Sequence, residues 1–190
     1  VRAGKGMLAA EVLERNLESL ADSSTMEERV SAREKLAKQY LVLGRAGAAV
    51  KLLEEARIDS FPTTPLSTLS NLGAALQATG KAHNAIEVLE KVASAYERTS
   101  GSSSPDLLAT LANLATAYRS VGRAADAVRL SEYLLEVSVN MYGISHPETL
   151  QARAALAAAY RGTGDLSQAV SLLSATASDA AAVLGADHPF

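Results

Sequence analysis

Apolar and polar residues alternate along this chain with the period of an α-helix. Within each segment the apolar or small residues recur at spacings of three and four, which places them on one face of a helix. Single glycines or short polar stretches separate the segments, so the pattern predicts helices joined by turns. The predicted helices cover residues 5–21, 25–42, 46–58, 64–79, 82–99, 105–121, 124–142, 147–163 and 166–184.

The glycines between paired helices mark an internal repeat, because the residues around them recur at fixed offsets. Each is preceded by a leucine eight positions before, a small residue seven before and a large residue four before, and is followed by an alanine five after. The repeated residues are Leu36, Ala37, Tyr40, Gly44, Ala49; Leu72, Gly73, Leu76, Gly80, Ala85; Leu114, Ala115, Tyr118, Gly122, Ala127; and Leu156, Ala157, Tyr160, Gly164, Ala169.

Each part of the repeat has a physical reason. The leucine and the large residue lie on one helix face, so we expect both positions to be buried. The glycine tolerates the left-handed conformation that ends a helix. The alanine of the second helix is where a bulky side chain would hold two helices apart. Such a helix pair cannot bury its apolar face alone and must stack on its neighbours, which predicts an all-α fold of stacked antiparallel helix pairs.

The repeat resembles the tetratricopeptide repeat, whose signature reads Leu-Gly-x2-Tyr and then Ala-x3-Phe. The chain carries it as Leu36-Ala37-x2-Tyr40 with Ala49-x3-Leu53, Leu72-Gly73-x2-Leu76 with Ala85-x3-Leu89, Leu114-Ala115-x2-Tyr118 with Ala127-x3-Ser131, and Leu156-Ala157-x2-Tyr160 with Ala169-x3-Leu173. The early tryptophan of the family is replaced by Arg33, Leu69, Leu111 and Arg153.

Two of the repeats are 42 residues long and resemble the kinesin-light-chain subclass, whose repeats begin with His-Pro. This dipeptide occurs at His146-Pro147 and again 42 residues later at His188-Pro189. Ser104-Pro105 occupies the equivalent position one repeat earlier. Proline is favourable in the first turn of a helix. The resemblance implies an α-solenoid wound as a right-handed superhelix, with the first helix of each pair on the concave side.

This register predicts a single array over residues 1–190. Gly4 is interpreted as a turn glycine, and either Ser24 with Glu27 or Thr25 with Glu28 can form a capping box. The predicted parts are the second helix of an incomplete repeat at 1–22, repeats at 23–61, 62–103, 104–145 and 146–187, and the start of a further repeat at 188–190.

Composition and charge exclude several classes of function. The formal net charge of −3 and the absence of a basic stripe argue against nucleic acid and membrane surfaces as partners. No apolar run is long enough to cross a bilayer, and the first residues lack the pattern of a signal peptide. With no cysteine there are no disulfides or thiolate metal sites. We therefore expect a cytoplasmic location.

Catalytic signals are weak. Gly4-Lys5-Gly6 lacks the spacing and the preceding strand of a phosphate loop. His83, His146 and His188 do not converge, because the last two occupy equivalent positions 42 residues apart. We expect no catalytic residues, no metal and no cofactor, and hence a protein that is not an enzyme.

The resemblance places candidate binding residues on the first helix of each pair. Kinesin-light-chain-like repeats carry asparagine just before the core leucine, where this chain has Asn71 and Asn113. An amide can donate to and accept from a peptide backbone. The position after the core tyrosine is expected to be exposed and holds Gln77, Arg119 and Arg161, whose guanidinium groups could bind carboxylates. Lys38 is an isolated piece of the carboxylate clamp of chaperone-binding relatives.

The leading hypothesis is a scaffold that binds a peptide or protein segment in its concave groove. One alternative is a regulatory repeat segment of a larger signalling protein, such as a nucleotide-driven switch ATPase. Another is a structural spacer that associates end to end through apolar end faces.

Overall fold

A computed structural model describes residues 2–20, 24–60, 63–100 and 104–184, in which the regular secondary structure is α-helical. The helices are α1 Arg2–Ser19, α2 Met26–Val42, α3 Ala46–Asp59, α4 Leu66–Ala78, α5 Ala82–Ser100, α6 Pro105–Ser120, α7 Ala124–Tyr142, α8 Pro147–Thr163 and α9 Leu166–Leu184. The predicted helices are confirmed to within a few residues at their ends.

The chain divides into two compact units, Val1–Ala95 and Tyr96–Phe190, with the division inside α5. In unit 1, α2 packs against α1, α3 and α4, and α3 also packs against α4. In unit 2, α8 packs against α6, α7 and α9, and α6 also packs against α7. Each unit is thus a stack of helix pairs, and short turns make paired helices antiparallel. In both units the first helices of successive pairs touch, α2 with α4 and α6 with α8.

The predicted turn glycines share one backbone geometry. Gly44, Gly80, Gly122 and Gly164 have φ angles of 73°, 79°, 80° and 84°. The N–H of each glycine donates to the carbonyl three residues before it, at 3.0–3.3 Å, and the N–H of the next residue donates to the carbonyl five residues before it, at 2.7–3.0 Å. These two bonds define the Schellman motif, which satisfies the last carbonyls of the first helix.

Small residues hold the helices close together. The alanines five positions after the turn glycines are buried in all four pairs, with 0–2% of their surface exposed; they are Ala49, Ala85, Ala127 and Ala169. Gly73, the small residue of the second pair, leaves even less room. A Cβ atom added there would lie 2.5 Å from Cδ2 and Cγ of Leu89, a residue that is fully buried. The close approach of α4 and α5 at this point therefore requires glycine.

Side chains cap the N-termini of α2 and α6. Thr25 accepts from the backbone N–H of Glu28 at 3.2 Å, and the Glu28 carboxylate accepts from the N–H of Thr25 at 2.8 Å. Of the two capping boxes allowed by the sequence, the structure forms this one. Ser104 caps α6 by accepting from the N–H of Leu107 at 3.2 Å, directly before Pro105.

The interpretation of Gly4 as a turn glycine is wrong, because α1 begins at Arg2 and includes Gly4. A glycine inside a helix costs only about 1 kcal/mol relative to alanine. That cost does not end a helix unless capping bonds stabilise the turn. The prediction that α1 is followed by a complete helix pair is unaffected.

The prediction that the core tyrosines are buried is also wrong. Leu76 is buried at this position, but Tyr40, Tyr118 and Tyr160 are only partly buried. The Tyr40 hydroxyl donates to Glu14 Oε1 at 2.6 Å, and the Tyr160 hydroxyl donates to Glu132 Oε1 at 2.7 Å. The rings cover apolar surface, and the polar hydroxyls reach carboxylates of the preceding helix.

Several predictions fall outside the described residues. They concern the residues before the Thr25 cap, the middle of the two predicted connectors and the start of a further repeat; they are 21–23, 61–62, 101–103 and 188–190. The division of the chain into four full repeats and one incomplete repeat stays a prediction.

Candidate functional site

A groove in unit 2 lies where α6 and α8 meet, and residues of the second half of α7 also line it. Its volume is about 670 Å³. The lining residues are Pro105, Leu108, Ala109, Ala112, Asn113 and Thr116 of α6; Leu134, Ser138 and Tyr142 of α7; His146; and Glu148, Gln151, Ala152 and Ala155 of α8.

Asn113 is the one predicted binding residue that lines this groove. It is half-buried on α6. The alanines of the groove, two on each first helix, leave open space beside its amide. The hydroxyl and amide groups of Thr116, Ser138 and Gln151 add hydrogen-bonding capacity along the same surface. The groove lining therefore combines small residues with uncharged polar groups.

The His-Pro junction forms one end of the groove. His146 is the N-cap of α8, and its Nδ1 accepts from the backbone N–H of Glu148 at 3.2 Å. The imidazole stacks on the Tyr142 ring with 4.8 Å between centroids and 20° between planes. Glu148 lines the groove together with this pair.

Buried polar bonds fix the position of this junction. The Thr149 hydroxyl, fully buried, donates to the carbonyl of Gly143 at 2.7 Å and lies 3.1 Å from that of Ser138. Arg153, also buried, donates from Nη2 to the carbonyl of Ile144 at 3.4 Å. The arginine that replaces the family tryptophan thus ties α8 to the loop before it.

The opposite end of α6 and α8 carries exposed arginines. Arg119 and Arg161 lie in the last turns of these helices, beyond the residues that line the groove. Cγ of Arg119 lies 3.7 Å from the position of a Cβ atom built on Gly162, the residue after Arg161, so the last turns of α6 and α8 lie against each other. Within the described part of the chain, no carboxylate forms an ion pair with either.

The carboxylates at this end are already engaged. Asp126 accepts hydrogen bonds from Arg123, at 2.7 Å, and from Arg129, and these bonds lower its pKa below the ordinary value. Asp165 accepts from the Ser167 hydroxyl at 2.8 Å and from the N–H of Gln168 at 3.2 Å, which lowers its pKa as well. Arg119 and Arg161 are left available for an external anion.

The structure does not bring the predicted binding residues of unit 1 into one groove. Lys38 is exposed on α2, whereas Asn71 and Gln77 are partly buried on α4. The Asn71 Nδ2 atom is buried and has no hydrogen-bond partner among the described residues. The groove between α1 and α2 is instead lined by Lys35, the counterpart of Asn71 in the preceding repeat.

Sequence reasoning missed most of the groove lining, including Thr116, Tyr142, Glu148 and Gln151. Helix periodicity could have predicted part of this lining from the sequence. Residues three and four positions away from Asn113 on α6, and from Ala155 on α8, share their helix face. Applied to Asn113 and Ala155, that spacing selects Ala109, Thr116, Gln151 and Ala152. The contribution of α7 depends on how the helices pack and has no such signal.

The described ranges contain neither a metal-site cluster nor a helix that could span a membrane. No group of three or more histidine, aspartate or glutamate side chains there is arranged to hold a metal ion. No helix in those ranges has the length and apolar character that crossing a membrane requires.

Comparisons with known proteins match this architecture. Two family models described as tetratricopeptide repeat match residues 65–137 and 149–190. A structure of nearly identical TPR-like repeats, from a Podosopora anserina protein described as a kinesin light chain, is 28% identical with a TM-score of 0.78, covering 96% of this chain and 90% of that one. A second structure of such repeats from the same organism is 29% identical with a TM-score of 0.74 and has the same coverage.

More distant structures share the fold alone. BtubC (BKLC) from P. vanneervenii is 20% identical with a TM-score of 0.77, covering 100% of this chain and 78% of that one. A search of curated proteins finds no match. The two repeat models and the kinesin-light-chain-like structures agree with the repeat predicted from the sequence. This chain belongs to the tetratricopeptide repeat family, and its repeats are of the kinesin-light-chain-like type.

Proposed function

We propose that the protein is a scaffold that binds an extended peptide segment in the groove of unit 2. Repeats of this family generally mediate protein–protein interaction. The observation that carries the proposal is the groove between α6 and α8, which is lined by four alanines and by Asn113. Its volume of about 670 Å³ lies in the range of ordinary ligand sites.

The polar groups of the groove suit a peptide backbone. An extended peptide presents both N–H and C=O groups, and each needs a partner when water is removed. The amides of Asn113 and Gln151 can donate and accept, and the Thr116 hydroxyl can do the same. The alanines leave space for the peptide's own side chains.

The other predicted residues extend this proposal. Arg119 and Arg161 would contact an acidic group at one end of the peptide. In unit 1, Asn71 occupies the repeat position of Asn113, and its unpaired Nδ2 would donate a hydrogen bond to a peptide carbonyl. Gln77 and Lys38 would contribute polar contacts of the same kind.

The test begins with selecting binders from a display library of random dodecapeptides. Asn113→Ala should weaken the selected peptides roughly tenfold, because one or two hydrogen bonds are lost. Asn140→Ala is the matched control, since Asn140 is exposed on α7 and does not line the groove. Circular dichroism should show the same thermal midpoint for both variants.

Two results would overturn the proposal. One is a library from which no peptide is enriched. The other is a set of peptides that bind Asn113→Ala and Asn140→Ala with equal affinity, which would place their site elsewhere.

A second candidate, self-association, rests on exposed apolar side chains of α9. Leu166, Val170 and Leu173 are 62%, 63% and 44% exposed, although the counterparts of Leu173 in earlier repeats, Leu53 and Leu89, are fully buried. If this face joins copies of the chain, the mass measured by light scattering should rise with concentration. Val170→Glu with Leu173→Glu should then give a monomer, and a native monomer at every concentration would reject this candidate.

A further inference from the structure

The helices that form the groove of unit 2 carry acidic residues near their first turns and basic residues near their last turns. Among the residues that line it, Glu148 is the only one with a formal charge when histidine is neutral. Asp106, beside Pro105, is exposed in the first turn of α6, and Glu148 lies in the first turn of α8. The two carboxylates are therefore at the same end of these helices. No lysine or arginine lines the groove. The guanidinium of Arg153 on α8 is buried and donates to the carbonyl of Ile144, so it is not part of the groove surface. This end of the groove is therefore acidic.

The other end of the same two helices is basic. Arg119 lies thirteen positions after Asp106, and Arg161 lies thirteen positions after Glu148. Thirteen residues of α-helix span about 20 Å, so the two charged ends are separated by about that distance. Helix dipoles favour acidic residues in the first turn and basic residues in the last. They do not supply a partner for the guanidinium groups of Arg119 and Arg161, which stay unpaired within the described residues.

We propose that this groove selects peptide segments of divided charge. A lysine or arginine of the peptide lies beside Glu148 and the Tyr142–His146 stack, and an aspartate or glutamate lies between Arg119 and Arg161. An extended peptide rises about 3.3 Å per residue, so about six residues separate the two charges. The inference deepens the proposed function and rests on it, because it specifies which peptides the groove accepts.

Both ends have the chemistry that this arrangement needs. A cation beside Glu148 gains a charge-assisted hydrogen bond, and the aromatic stack offers a ring face for a cation–π contact. At the other end two guanidinium groups present several N–H donors to one carboxylate. Between the ends the lining is uncharged, so the middle of the peptide is held by backbone hydrogen bonds and is not selected by charge.

The experiment selects dodecapeptides from a random display library separately on the native protein, on Glu148→Lys and on Arg119→Glu with Arg161→Glu. Peptides from the native protein should carry a basic and an acidic residue about six positions apart. Glu148→Lys should remove the enrichment of the basic residue and keep that of the acidic one. The double arginine variant should remove the enrichment of the acidic residue and keep that of the basic one.

A matched control is Glu136→Lys, which makes the same charge change on an exposed residue of α7 outside the groove lining. At low ionic strength Glu148→Lys should weaken a native-selected peptide about threefold to fivefold, whereas Glu136→Lys should change its affinity less than about twofold. Changing the peptide's basic residue to glutamate should restore binding to Glu148→Lys.

The outcomes separate the inference from the proposed function. Peptides that depend on Asn113 but show no pattern of charge, or keep their affinity after charge reversal at Glu148, would overturn the inference and leave peptide binding intact. If no selected peptide depends on Asn113, the proposed function fails and the inference fails with it.

Discussion

The hydroxyl groups of Tyr40 and Tyr160 show how one position of the repeat serves two purposes. Each ring covers part of a helix contact, and each hydroxyl donates to a glutamate of the preceding helix. The hydrogen bonds to Glu14 and Glu132 raise the pKa of these tyrosines above the ordinary value. The neutral phenol is therefore favoured in the folded state.

These tyrosines should make stability sensitive to high pH. Their folded-state pKa values lie above the unfolded value of about 10, so their contribution is present below about pH 10 and is lost as pH rises through the folded-state value. In Tyr40→Phe with Tyr160→Phe, the free energy of unfolding should fall less steeply between about pH 10 and pH 12. Urea unfolding followed by circular dichroism measures this. Identical slopes in both proteins would contradict the assignment.

Gly73 is expected to resist substitution for reasons of space. Alanine is favoured over glycine in a helix by about 1 kcal/mol, but overpacking a core costs about 1–3 kcal/mol. The added methyl group would meet buried Leu89 at 2.5 Å, so Gly73→Ala should lower the free energy of unfolding by up to about 2 kcal/mol.

Gly47→Ala is the control for this prediction. Gly47 is exposed on α3, and nothing lies within 4 Å of a Cβ atom added there. This change should stabilise the protein by about 0.5–1 kcal/mol. Thermal unfolding of the two variants gives the comparison, and equal stabilisation by both would show that α4 and α5 are not in close contact at Gly73.

At the scale of the element, α8 depends on an unusual N-cap. Serine, threonine, asparagine and aspartate are the common residues there, and Ser104 follows that rule for α6. At α8 the cap is His146, whose ring nitrogen accepts the hydrogen bond while its face stacks on Tyr142. One side chain thus ends the loop and contacts the helix before it.

Removing the His146 side chain should destabilise the start of α8. His146→Ala loses the cap and the ring contact, with an expected cost of about 1–2 kcal/mol. His146→Asn keeps an acceptor and should recover part of that loss. Amide hydrogen exchange in the first turn of α8 measures the effect directly. Ser145→Ala is the control, and equal exchange in all three variants would show that the cap contributes nothing.

The elements could be predicted from sequence to a greater extent than the site could. Helix ends follow from local features that a sequence displays, such as Gly44 in a left-handed turn and Ala49 at a helix contact. Asn113 was predicted because kinesin-light-chain-like repeats carry asparagine at its repeat position, and the structure places it in the groove lining. The roles of Tyr142 and His146 were missed because they depend on how α7 meets α6 and α8. The prediction that Gly4 lies in a turn was wrong because the repeat spacing does not show whether the hydrogen bonds that stabilise such a turn form.

At the scale of the whole molecule, each unit is stabilised by contacts between neighbouring helices. Most helix contacts within a unit join successive helices, and the others join the first helices of successive pairs. In folds of this kind, stability is approximately a sum over repeats and their nearest-neighbour interfaces. A local defect should therefore have a local effect.

Ala127→Leu tests this locality. Ala127 is 1% exposed on α7, and a leucine there should overpack the helix contact by about 1–3 kcal/mol. Hydrogen exchange should accelerate in α6, α7 and α8 and stay unchanged in α2 and α3. Uniform acceleration across all these helices would indicate a single cooperative unit and would contradict the nearest-neighbour description.

The four identical turns have a consequence for how such a protein can change in length. Each turn is stabilised by two main-chain hydrogen bonds and one glycine, so its geometry does not depend on which side chains flank it. If the coding segment for one helix pair were duplicated, the new pair would contain its own glycine turn and could form the same two hydrogen bonds. Growth or loss of whole modules should thus be tolerated far more readily than insertion of a few residues inside a helix.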